Sequence, residues 1–378
     1  MQLMLPHEPL LVKADRGGTG DDCRRTKTLL GAILLVLVAV FGTASAADAM
    51  PKGFALTSPR EAAALRDLTQ SPARAAVLRA ADRVVGRVPK AMARVRVEGT
   101  LPGQGIYDES KEALRDLPAA RDLALAGRLT GDPRYTEAAR RILKAWIEIY
   151  RVSFNPIDET SFDALLVAWD LLPEAARAGL ESGASRLFRD FSEGYLAHPL
   201  KGNTAINNWN SHRVKLIALA AFALGDSALI ARARDAYRAQ LRANIRADGS
   251  TLDFELRDAI HYVVYDLEPL AVAALAAGRH GEDWVAEENA ALIRGFAWLE
   301  PYAAGIKVHQ EFVRTTVAFD RTRRQAGLPG FDGPFDPKKA RTAMALAARL
   351  DPRFTATGRA LRTEPWQDAW LELLIPLK

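Results

Sequence analysis

The sequence predicts an all-α domain built of paired helices. Apolar residues recur at helical spacing from Ser58 to Leu350. No stretch alternates apolar and polar residues long enough to make a useful strand, and no βαβ order appears. Short turns join the periodic stretches, as in helical hairpins.

Ser58 to about Val85 reads as the first helix, with Ser58 as N-cap, Pro59 at N1 and Glu61 at N3. Val97 to Tyr107 holds three glycines and a proline and reads as a loop. Ser110 to Thr130 carries an apolar stripe of Leu114, Leu117, Ala120, Leu123 and Ala124. Gly131-Asp132-Pro133 ends that helix and starts the next, Arg134 to Tyr150, with Ala138, Ile142, Trp146 and Ile149 inward. After the loop Ser153 to Thr160, helices are expected at Ser161 to Leu172, Pro173 to Ala197, Asn208 to Leu224, Ser227 to Ala247, and Asp253 to Ala277. Two more follow at Glu282 to Leu299 and Lys338 to Leu350. Glu300 to Phe335 is irregular, and a long irregular segment in a helical domain is more often functional than idle.

Two stretches are too polar for their place. Asn207-Asn208-Trp209-Asn210-Ser211-His212-Arg213-Val214-Lys215 opens a helix that Gly225 closes. Helical spacing puts Asn208, Ser211, His212 and Lys215 on one face, and buried polar groups need partners. Further on, a continuous helix would set Arg257, His261 and Tyr265 in an i, i+4, i+8 row. A shared cleft of the two stretches accounts for both.

The bulk numbers exclude much. The apolar run Leu29 to Phe41 follows basic Arg24-Arg25-Thr26-Lys27 and precedes Ala44-Ser45-Ala46. That is the pattern of a cleaved secretory signal, residues 1–46, and is short for a membrane span. The expected mature protein, residues 47–378, is a single domain in the periplasm or medium, without stable membrane insertion. The only cysteine, Cys23, precedes the cleavage point, so thiol catalysis and disulfides are not expected. Net charge is +5; the signal segment holds five Lys/Arg and four Asp/Glu, so its loss leaves about +4. That mild excess suits an anionic ligand. No phosphate-binding loop, dinucleotide fingerprint or H-E-x-x-H zinc motif appears. Export and the lack of a basic, aromatic-interleaved helix argue against nucleic acid.

Several segments resemble the alginate lyase family of exported bacterial polysaccharide lyases. They are Leu117-Pro118-Ala119-Ala120-Arg121-Asp122-Leu123-Ala124, Leu129-Thr130-Gly131-Asp132-Pro133-Arg134-Tyr135, and Asn155-Pro156-Ile157-Asp158-Glu159-Thr160. The other carriers are Asn207 to His212 and Leu256 to Tyr265. The resemblance implies an (α/α) toroid with a groove across one end and β-elimination on a uronate polymer such as alginate. Trp209 stands where well-known members carry a histidine, and Asp258 where such members carry an arginine.

Elimination requires that the proton at C5, beside a carboxylate, be made acidic and removed, and that the departing O4 be protonated. Asn208 and Arg257 suit the carboxylate. His212 or His261 suits the base, and Tyr265 the acid, or both roles. Substrate contacts are expected from Asn207, Trp209, Lys215, Tyr262, Lys307 and His309. The scheme needs no metal and no cofactor. Two other readings stand beside it. One is a glycoside hydrolase, which needs two carboxylates at a groove, with Asp253, Glu255 and Glu159 as candidates. The other is a polysaccharide-binding protein without chemistry, which Trp209 favours.

Overall fold

The helix Asn208–Leu224 is buried along its whole length except at Trp209. A helix apolar on every side is wrapped by others, and here the wrapping is a ring. In this computed structural model, which describes residues 51–363, 366 and 368–377, Asn208–Leu224 packs between Phe162–Leu171 and Ile260–Arg279. Phe162–Leu171 packs on Asp116–Thr130, and that helix on Pro72–Val84. On the other side Ile260–Arg279 packs on Arg341–Leu350. The C-terminal helix Ala369–Leu374 closes the circle. It packs on Pro72–Val84, and Arg349 donates from Nε to the Ile375 carbonyl. Pro133–Ile149, Ser227–Asn244 and Glu287–Ala303 lie outside as hairpin partners. This is the (α/α) toroid. Isolated bridges, Ile245 with Thr251 and Gln310 with Pro334, are the only β pairings among the described residues. The expected signal segment, residues 1–46, lies outside the described residues.

One end of the ring is plugged by the chain before the first helix. Lys52 and Gly53 donate to the carbonyls of Leu224 and Ala223, at the C-terminal end of Asn208–Leu224. A Cβ at Gly53 would meet the Phe222 carbonyl oxygen at 2.0 Å, so only glycine fits that approach. The Asp170 carboxylate accepts from the backbone N–H groups of Ala55, Leu56 and Thr57 at 2.7–3.0 Å. His280 Nε2 bonds the Phe54 carbonyl at 2.8 Å. The N-terminal ends of three central helices, at Phe162, Asn208 and Ile260, therefore lie together at the opposite end.

Four expected helices are broken, each at a nameable place. Ser58 to Val85 divides at a second cap, Ser71, whose hydroxyl accepts from Arg74 N ahead of Pro72–Val84. Tyr107–Leu114 and Asp116–Thr130 replace one helix; the buried Asp116 carboxylate accepts from Arg87, Lys90 N and Trp146. Pro173 to Ala197 becomes Glu174–Arg177 and Glu181–Arg189, parted at left-handed Gly179, then a π turn. The fourth break falls in the candidate row. Asp258 adopts φ +50°, between Leu252–Arg257 and Ile260–Arg279. Its carboxylate takes Arg314, and its carbonyl accepts from Phe312 N and His309 Nε2. Tertiary bonds to an irregular segment thus override the helical pattern. Ala318–Gln325 adds a helix inside that segment.

Candidate functional site

A cavity of about 350 Å³ lies inside the ring, lined by its central helices. Asp163 and Val167, His212 and Lys215, Tyr265 and Glu268 face it from three of them. Leu56 lines it from the plugging segment, and Trp370 from the C-terminal helix.

His212 sits one turn inside its helix and is 3% exposed. Its Nδ1 lies 2.6 Å from Thr160 Oγ1. Lys215, one turn further, donates to Thr160 O at 2.8 Å, to Thr160 Oγ1 at 3.0 Å and to Asp163 Oδ2 at 2.6 Å. Burial, then the Lys215 charge, hold the His212 imidazole well below its ordinary range, so it is neutral at neutral pH. Its Nε2 is buried without a hydrogen bond of normal geometry.

Tyr265 packs its ring against His212, with centroids 4.1 Å apart. Its hydroxyl bonds no described residue, and burial raises the phenol, with Tyr262 and Glu268 adding to the effect. Glu268, one turn below, is pushed up to about 8 by burial and then by Asp368, so it carries a proton at neutral pH. The cavity therefore joins a neutral imidazole, a phenol, an internally paired lysine and a protonated carboxyl.

Asn208 and Arg257 belong to a buried clamp beside this cavity. Asp253 accepts from Asn208 N and Asn208 Nδ2, both at 2.6 Å. Arg257 reaches Asp253 at 3.3 Å and Asp320 at 2.5 Å, and its guanidinium lies 3.8 Å from the centre of the Tyr262 ring. The Tyr262 hydroxyl accepts from Arg323 at 2.8 Å. Each charge here already has a partner, as burial demands.

The structure scatters the other candidates. Break at Asp258 leaves Arg257 on one helix and His261 and Tyr265 on the next. His261 lies among Tyr262, Phe312 and Phe331, outside the residues lining the cavity. Burial, followed by Lys339 and Arg323, lowers it to about 4. Asn207 is the N-cap and accepts from Trp209 N, while the Trp209 side chain is partly exposed at the helix mouth. Lys307 is exposed, its ammonium 5.6 Å from the Tyr302 ring. His309 is tied to the Asp258 carbonyl at 2.9 Å. Neither lines the cavity.

The three hydrolase carboxylates do not pair across it. Glu159 is buried and accepts from Tyr150, Tyr195 and Ser153. Asp253 caps Asn208, and Glu255 is an exposed partner of Arg246. No cluster of three metal-ligating side chains occurs among the described residues.

Thr160, Asp163 and Glu268 are site residues that sequence reasoning missed. Thr160 ends the Asn155–Thr160 segment, so its position at a helix mouth was a usable signal. Asp163 and Glu268 gave none, because an acid within an apolar helix reads equally as surface.

A helical ring with a polar axial cavity is the architecture of toroidal polysaccharide lyases. The family model for alginate lyase matches residues 57–309, and the chain belongs to that family. It is a polysaccharide lyase. No curated protein matches it. Among solved structures, an alginate lyase from Bacteroides ovatus superposes with a TM-score of 0.63 at 17% identity, covering 86% of this chain and 99% of that one. Alginate lyase A1-III from Sphingomonas species A1 gives 0.51 at 18% identity, covering 70% and 82%. A variant of A1-III in complex with a tetrasaccharide gives 0.50 at 18%, with the same coverage. At such identities the likeness establishes the fold.

Proposed function

We propose that the substrate is a uronate-containing anionic polysaccharide, alginate or a related polyuronate, and that it is cut by β-elimination where His212 and Tyr265 meet. One observation carries this reading. Of the residues expected from sequence to do chemistry, these two alone line the axial cavity; His212 keeps a buried Nε2 without a normal hydrogen bond, and the Tyr265 hydroxyl bonds no described residue. Most buried polar atoms find partners, and a substrate oxygen would supply one to His212 Nε2. The complex of a related lyase with a tetrasaccharide supports a saccharide ligand.

Tyr265 rests as a phenol, the form needed to protonate the departing O4. The C5 proton has two possible acceptors, the Tyr265 phenolate and the Nε2 lone pair of His212. The tautomer of His212 decides between them. Asn208 and Arg257 act on this site indirectly, through the clamp that holds the mouth of the Asn208–Leu224 helix. The hydrolase reading loses its own candidates, since Glu159, Asp253 and Glu255 do not line the cavity.

The test is product chemistry on a panel of polyuronates. Elimination leaves an unsaturated ring that absorbs ultraviolet light. Growth of that absorbance with shorter chains is expected. New reducing ends without absorbance, or no cleavage of any polyuronate, would overturn the proposal.

A further inference from the structure

His212 is held from two sides by groups whose own proton needs are fixed. Lys215 has three N–H donors and no acceptor, so it can only donate to Thr160 Oγ1, at 3.0 Å. Thr160 keeps one hydroxyl proton, and His212 Nδ1 is its partner at 2.6 Å. That separation suits an O–H donor and is short for an N–H donor. On the other side, Pro269 lies inside Ile260–Arg279. Proline has no N–H, so the carbonyl four residues earlier, that of Tyr265, lacks its helical donor. That same Tyr265 backbone favours a proton on His212.

We propose that Thr160, oriented by the Lys215–Asp163 pair, is a positioning residue that fixes His212 in the tautomer with its proton on Nε2. The inference rests on the reading of this cavity as the lyase site. Its consequence is a division of labour. A neutral imidazole with the proton on Nε2 donates a hydrogen bond and accepts none there. The His212 Nε2–H, facing the Tyr265 carbonyl at rest, is then taken over by the uronate carboxylate, a stronger acceptor, and His212 polarises it, as a neutral histidine can. Tyr265, once its phenol proton has been lost to solvent, is left to take the C5 proton as phenolate and to return it to O4, which regenerates the phenolate, so no net proton is consumed in the step.

Nitrogen-15 spectra of the full-length protein, labelled at histidine, test this with and without substrate turnover. Wild type is expected to show a neutral His212 protonated at Nε2 at pH 7. Thr160→Val, which replaces the hydroxyl by a methyl group, is expected to shift His212 toward the Nδ1 tautomer and to lower kcat by about tenfold or more, with KM changing less. Thr160→Ser is expected to restore both. A wild-type His212 protonated at Nδ1 would overturn the proposal without any variant. So would a Thr160→Val protein that keeps the Nε2 tautomer, or one that changes tautomer and keeps wild-type kcat. If wild type cuts no polyuronate, the lyase-site reading fails, and the spectra still decide the tautomer.

Discussion

Asp253 holds Asn208 twice, taking the backbone N–H and the side-chain amide at 2.6 Å each. The first pairing caps a helix with a carboxylate, and the second occupies the amide that sequence suggested would meet the substrate. Asn208 is therefore expected to matter first through stability. Asn208→Ala should lose about 1.5–3 kcal/mol, the range for a hydrogen bond to a charged group. Asp253→Ala should lose more, about 3–5 kcal/mol, because it also leaves Arg257 short of one buried partner. Denaturant melts measure both. An Asp253→Ala protein as stable as wild type would remove the clamp from the account.

Tyr265 and His261 separate chemistry from packing. Tyr265→Phe keeps the ring against His212 and removes a hydroxyl that bonds no described residue. Its melting temperature should hold while turnover is nearly lost. His261→Ala empties a place among three aromatic rings. It should retain measurable turnover and melt lower. Wild-type turnover should rise from pH 7 toward alkaline pH, since the raised phenol must ionise to act as base. A Tyr265→Phe enzyme with wild-type turnover would end this assignment.

The ring is legible in the sequence because its helices are closed by local signals. Gly131 and Gly225 adopt positive φ where helices end, and Ser58, Asp132 and Asp226 cap where helices begin. The Asn208–His212 stretch is legible as well, since a buried helix has no other use for so many polar groups. The Arg257–His261–Tyr265 row is not. Its periodicity is sound, but Asp258 is turned left-handed by bonds from His309, Phe312 and Arg314, some fifty residues away. The Lys215–Asp163 pair is hidden for a related reason. It joins two helices whose adjacency only the closed ring creates.

Glu268 gives the cavity a pH signature. In the folded protein its carboxyl keeps its proton up to about pH 8, against an ordinary value of 4.5. Between those values the folded state binds more protons than the unfolded one. The contribution of Glu268 to stability is therefore greatest at low pH and falls as pH rises toward 8. The slope approaches about 1 kcal/mol per pH unit within that window. Glu268→Gln removes the titration and keeps the shape. Relative to wild type it should gain stability steadily from pH 5 to pH 8. Parallel stability curves for the two proteins across that range would show that Glu268 ionises normally.

Asp258 tests why the row breaks. Its φ of +50° costs an ordinary side chain roughly 1–2 kcal/mol, and asparagine tolerates that region better than alanine. Its carboxylate also holds Arg314 N and the Arg314 guanidinium, although Arg314 itself is exposed. The pair is open to solvent on its Arg314 side, which weakens it, so backbone conformation should dominate. Asp258→Asn is expected to be nearly neutral and Asp258→Gly close to it, while Asp258→Ala should be the least stable of the three by about 1 kcal/mol. If the carboxylate dominates instead, all three variants will lose stability alike. Turnover adds a second reading. The loop bonded to Asp258 carries His309, and Tyr265 lies two turns along the helix that Asp258 starts. An Asp258→Ala protein that melts lower yet keeps kcat would show that the break sets the fold of this corner without setting the position of Tyr265.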